Sequence, residues 1–76
     1  MSTSMYIALL VMVALTRREN DVLRLIVQGL SNREIAVELT IRESTARDHV
    51  SAVMFKLDAR NRTHCAVRAL RSNLVD

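Results

Sequence analysis

The chain has no proline, no tryptophan, one glycine, one cysteine, one tyrosine and one phenylalanine in 76 residues. Each scarcity excludes something. A many-turned β fold is not expected, because tight hairpins draw on glycine and proline. A single cysteine permits no internal disulfide. Cys65 lacks a CxxC neighbour, and His49 and His64 alone do not complete a zinc-ligand set, so no metal is expected. Cys65 reads instead as a small core or interface residue. The low cysteine usage fits a reducing, cytoplasmic setting. No glycine-rich phosphate loop occurs, and His49 has no acid or nucleophile placed to work with it. Neither an enzyme nor a cofactor is expected.

What is present favours helices. Leu, Arg, Val and Ala dominate, and the length suits one small domain. A domain of this size without disulfide or metal needs well-packed helices or a second subunit. The formal net charge is +3, and ten of the eleven basic residues are arginine. That balance favours a polyanionic partner, and arginine is suited to bidentate phosphate and guanine contacts. A solvated basic surface explains the composition equally well.

Residues 1–14 form an apolar N-terminal segment distinct from the rest, 15–76. The run from Met5 to Leu15 is continuously apolar for 11 residues. A membrane span needs roughly 18 or more, so no membrane partner is expected. The segment has no basic front, unlike a secretory leader. A helix packed on the domain or on a second copy is the expectation.

From Thr16 the apolar spacing turns helical. Thr16-Arg17-Arg18-Glu19 fits a capping box, Val22, Leu23, Leu25 and Ile26 follow as a stripe, and Gly29 supplies a stop. Ser31-Asn32-Arg33-Glu34 is a second capping box, flanked by Leu30 and Ile35 as a hydrophobic staple. Ile35, Ala36 and Leu39 give its inner face. Thr40 and Ile41 make a short turn, with Ile41 plugging the core. A third helix of about 42–57 points Thr45, Ala46, His49, Val50, Val53 and Leu57 inward and Arg47, Asp48 and Ser51 outward. Asn61 caps a fourth helix that runs through Ala66, Val67 and Leu70 to near Leu74. Two helices joined as tightly as the second and third cross steeply. That is the geometry of a helix-turn-helix whose second helix enters the DNA major groove. Outward polar residues are also common as a merely solvated face. Arg24, Arg68 and Arg71 read as surface charges.

Five segments appear in register: Leu15-Thr16-Arg17-Arg18-Glu19, Leu23-Arg24-Leu25-Ile26-Val27-Gln28-Gly29, Leu30-Ser31-Asn32-Arg33-Glu34-Ile35-Ala36, Glu43-Ser44-Thr45-Ala46-Arg47-Asp48-His49-Val50 and Lys56-Leu57. Over residues 15–71 the chain resembles the LuxR/FixJ/GerE-type helix-turn-helix domain of bacterial transcription regulators. The resemblance implies an all-α, four-helix domain that binds double-stranded DNA sequence-specifically and regulates transcription. Helix 3 would be the recognition helix. It implies DNA contacts from Asn32, Arg33, Thr45, Arg47, Asp48, His49, Ser51 and Lys56. It also implies a homodimer through helix 4, with Cys65, Ala66, Val67 and Leu70 at the contact. RNA polymerase is a further candidate partner.

Departures from the family pattern fall at four positions. Arg42 stands where a capping Ser is usual, which suggests that Thr40 takes over the cap with Glu43 as its box partner. Ala46 replaces a Val. Asp58 replaces a Gly, so the end of helix 3 is expected to be strained or differently shaped. Asp48 puts a negative charge on the reading face. It either accepts a hydrogen bond from a cytosine amino group or weakens binding generally. Asp48 and the modest charge keep an alternative open: a protein-interaction module that binds another regulator or RNA polymerase with little DNA contact. A standalone short regulator and the output domain of a longer one are both compatible with the resemblance.

Overall fold

The computed structural model describes residues 15–72. The expectations for the apolar segment before Leu15, and for Leu74 at the end of the last helix, lie outside the described residues. Four helices follow one another: α1 (Arg17–Val27), α2 (Asn32–Leu39), α3 (Glu43–Lys56) and α4 (Arg62–Arg71). Among the described residues there is no strand. α3 packs across α1 and α2, and α4 packs on α1.

The helix starts follow local chemistry. Thr16 accepts a hydrogen bond from the Glu19 amide at 3.1 Å, and the Glu19 carboxylate accepts one from the Thr16 amide at 2.8 Å. Ser31 and Glu34 repeat the arrangement at 3.2 and 2.8 Å. Both capping boxes read from the sequence therefore form. Asn61 Oδ1 accepts from the His64 amide at 2.9 Å and caps α4. α3 differs. Its N-cap is Arg42, which makes no side-chain cap hydrogen bond. The expected transfer of the cap to Thr40 does not occur. Thr40 is in the left-handed conformation, φ 55° and ψ 49°, closing α2. An N-cap needs extended backbone, so one residue cannot serve both ends.

The first three helices close by one device. A residue with positive φ follows each of them: Gly29 (88°), Thr40 (55°) and Asp58 (53°). The next amide then reaches back five residues: Leu30 to the Leu25 carbonyl at 3.1 Å, Ile41 to Ala36 at 3.0 Å, Ala59 to Met54 at 2.9 Å. These are Schellman-type closures, in which an apolar residue just past the helix folds back onto it. Leu30, Ile41 and Ala59 are the residues so placed, and all three pack against the core. Only Gly29 adopts the left-handed region freely. Thr40 and Asp58 carry a Cβ there and are strained, which realises the expectation for Asp58.

The core contains Leu15, Val22, Leu23, Ile26, Ile35, Ala36, Ala46, Val50, Val53, Leu57, Cys65 and Ala69. With no buried aromatic side chain among the described residues, it depends on small residues at the helix crossings. Ala46 and Ala69 are fully buried. Leu25, Leu39 and Ile41 pack around its edge.

Candidate nucleic-acid interface

α3 presents two faces in opposite phase. Ala46, Val50, Val53 and Leu57 are buried, at spacings of 4, 3 and 4 residues. Ser44, Asp48, Ser51 and Phe55 repeat that spacing two residues earlier and are all exposed. Two residues turn an α-helix by about 200°, so the second stripe points away from the core. Arg47 stands beside this stripe and is also exposed, whereas Thr45 and His49 are half-buried at its other edge.

The front of α2 supplies a second surface. Its capping box engages the amides of Ser31 and Glu34. The Asn32 and Arg33 amides fall at the first two helical positions, where backbone N–H groups have no intrahelical acceptor and the helix dipole favours an anion. The Arg33 side chain is exposed. Asn32 is half-buried, and its Oδ1 accepts from Arg62 Nη1 at 2.5 Å. The other Arg62 terminal nitrogen, Nη2, donates to the Leu30 carbonyl. Arg62 thus ties the front of α4 to the front of α2, and it orients the Asn32 amide group.

Lys56 does not join this face. Its Nζ meets Glu19 Oε1 at 2.6 Å, and the Glu19 side chain is 8% exposed. Burial pushes the Glu19 carboxyl up, but the Lys56 ammonium and the Thr16 amide and hydroxyl outweigh that and hold it below the ordinary glutamate value of 4.5. A DNA contact by Lys56 has to compete with this pair. As the last residue of α3, it anchors that helix to the start of α1.

Of the two readings of Cys65, core or interface, the structure takes the core one. It is fully buried and belongs to the core, so it offers no surface to a second copy. Burial pushes its thiol up, only partly opposed by the charge of Arg62, which leaves it protonated and unreactive at neutral pH. The outward side of α4 is formed by half-buried Ala66 with Val67 and Leu70, which are 38% and 49% exposed.

The Glu19–Lys56 and Arg62–Asn32 ties escaped the sequence reading because they join residues 37 and 30 apart. Faint signals existed for both. Glu19 shares the inner register of Val22, Leu23 and Ile26, where a carboxylate needs a partner. Arg62 opens a helix whose dipole disfavours a cation there.

The profile of the family described as bacterial regulatory proteins, luxR family, matches residues 13–69. That is most of the chain and spans all of α1 to α3. The chain belongs to the luxR family of bacterial regulatory proteins. Among its relatives in Bacillus subtilis (strain 168), it is 46% identical to the spore germination protein GerE over 57 residues, covering 75% of this chain and 77% of that protein. It is 50% identical over 60 residues to the uncharacterized transcriptional regulatory protein YhcZ, covering 79% of this chain and 28% of that protein. It is 43% identical over 63 residues to the transcriptional regulatory protein LiaR, covering 83% and 30%. The chain thus spans less than a third of the length of YhcZ and LiaR.

Proposed function

We propose that the chain docks α3 in the major groove of double-stranded DNA and acts as a homodimeric, cytoplasmic transcription regulator rather than as an enzyme. The observation that carries this reading is the exposed stripe of α3, opposite in phase to its buried stripe. A helix fits the major groove of B-DNA, which is about 12 Å wide. Arg47, Asp48 and Ser51 then face base edges. Arg33, the Asn32 amide group, Thr45 and His49 lie toward the backbone, where contacts fix register rather than sequence.

The apolar side of α4, formed by Ala66, Val67 and Leu70, serves as the contact between two copies. A two-fold pair would set two recognition helices on half-sites about 34 Å apart. RNA polymerase is a partner for the DNA-bound dimer. No helix among the described residues is long and apolar enough to cross a membrane.

The test is a titration with random duplex DNA at two salt concentrations. Six neutralised phosphates per dimer would reduce affinity roughly 1,000-fold between about 50 and 200 mM salt. Absence of binding at low salt, or binding indifferent to salt, refutes the reading. It would leave the protein-interaction module, with its acidic Asp48 on the exposed face, as the better account.

A further inference from the structure

We propose that Phe55 is an additional reading residue, an apolar contact that packs on thymine C5-methyl groups at the far end of the α3 face. The inference rests on α3 being the DNA-facing helix.

Phe55 is 87% exposed, more than Val37, Val67 or Leu70, the other large exposed apolar side chains among the described residues. An isolated apolar side chain on a surface needs no explanation. Its register is what singles this one out. Phe55 continues the stripe of Ser44, Asp48 and Ser51 and points away from the core, so none of the described residues covers it. It lies about 6 Å along the axis from Ser51 and about 10 Å from Asp48 at 1.5 Å per residue. That separation is about three base steps of 3.4 Å. A helix that presents Asp48 and Ser51 to base edges therefore brings Phe55 to the same groove a few base pairs away.

The chemistry around the ring selects the target. The cation next to it, Lys56, is held by Glu19 and turned from the outward stripe. Ala52 and Met54 flank the ring and are half-buried, and Asp58, just past the helix, is acidic. The outward stripe itself carries no cation at this end of α3. An uncharged, apolar ring suits the apolar feature of the major groove, the thymine methyl, which phenylalanine contacts without hydrogen bonding. The outcome is a preference for thymine at a position that Arg47, Asp48 and Ser51 do not read.

The experiment uses the full chain and a duplex selected by it from a random pool. Each thymine is replaced singly by deoxyuridine, which removes the methyl group and keeps pairing. Wild type, Phe55→Ala and Phe55→Leu are titrated on each duplex, with helicity and thermal melting checking that the variants fold. One uridine position should weaken wild-type binding roughly three- to fourfold, the value of one buried methyl. Phe55→Ala should weaken binding to the thymine duplex roughly tenfold. It should also abolish the thymine–uridine difference at that position alone, while Phe55→Leu keeps part of it. Equal binding of Phe55→Ala and wild type to the selected duplex, or equal losses on thymine and uridine duplexes, overturns the proposal while leaving DNA binding intact. Conversion of a wild-type dimer to monomers by Phe55→Ala also overturns it, by assigning the ring to a second copy. If wild type binds no duplex at all, the reading of α3 falls and Phe55 falls with it.

Discussion

Removing the Lys56 ammonium tests whether the end of α3 is held by the fold or left for DNA. Lys56 Nζ lies 2.6 Å from Glu19 Oε1, with the lysine side chain 30% exposed and the glutamate 8% exposed. Breaking a fully buried pair from one side costs about 3–5 kcal/mol, whereas an exposed pair contributes about 0–1 kcal/mol. The partial exposure of Lys56 places Lys56→Met between these limits, at about 1–2 kcal/mol. Glu19→Gln keeps an oxygen for the Thr16 amide and loses only the charge, so it isolates the ionic part. In urea unfolding at pH 7, the cycle of Lys56→Met, Glu19→Gln and the double variant should give a coupling energy of about 1 kcal/mol.

The pH dependence follows from the direction of the Glu19 shift. Its folded pKa is lowered, so the pair's stabilisation is present above the ordinary value of 4.5 and is lost as pH falls through the lower, folded value. In Lys56→Met the burial effect on Glu19 is no longer opposed by a cation, so the loss of stability on acidification should shrink or reverse. A coupling energy near zero, with Lys56→Met instead lowering DNA affinity and its salt slope, would return Lys56 to the DNA interface and refute the structural assignment.

Other outcomes can be checked alongside. Arg47→Ala should weaken binding to a selected duplex by about 1–3 kcal/mol and relax preference at one position; equal weakening on random DNA assigns Arg47 to phosphate instead. Asp48→Ala should tighten binding to every duplex if the carboxylate only repels phosphate, and should erase one cytosine preference if it accepts from a base. Asp58→Gly should stabilise the fold by about 1 kcal/mol, seen as a raised urea midpoint, because φ 53° strains a residue with a Cβ. Leu70→Glu should leave the monomer folded and shift sedimentation from dimer to monomer, since Leu70 is half exposed on the outer side of α4.

Much of the fold was legible because its determinants are local. Thr16 with Glu19, Ser31 with Glu34, and Asn61 each mark a helix start with groups three residues apart. Spacing alone placed Ala46, Val50, Val53 and Leu57 in the buried stripe of α3, whereas Thr45 and His49, expected inward with them, are only half-buried. What escaped was decided over distance. Lys56 belongs to the far end of the helix that carries the exposed face, and only folding reveals that Glu19 waits beside it. Cys65 and Val67 both look like members of an apolar α4 surface, yet the turn between them buries the first completely and exposes the second. The missing cap of α3 was misjudged for a related reason. The short turn makes Thr40 finish α2 in a left-handed conformation, so the requirement of one helix end overrode the preference of the next.

The two long-range ties also explain how so small a core can present a DNA face in fixed geometry. α2 and α3 are joined by only three residues, Thr40 to Arg42, which sets their crossing but not their seat on the rest of the domain. Arg62 fixes the front of α2 to the front of α4 through Asn32 and the Leu30 carbonyl. Lys56 fixes the back of α3 to the start of α1. Each helix of the pair is thus held at one end by a charged side chain from, or to, a helix outside the pair. The front of α3, which carries Arg47 and Asp48, bears no side-chain cap of its own. It relies on the buried contacts of Ala46 and Val50 for its position. A face ordered before binding loses less freedom on docking, and affinity is then determined by the contacts rather than reduced by ordering. Arg62→Met should accordingly loosen the Asn32 region and weaken duplex binding even though Arg62 itself need not touch DNA. Amide hydrogen exchange would detect that loosening as faster exchange in the first turn of α2, with α3 unchanged. Equal acceleration throughout the domain would instead make Arg62 a contributor to global stability alone, and the separation of roles between the two ties would fail.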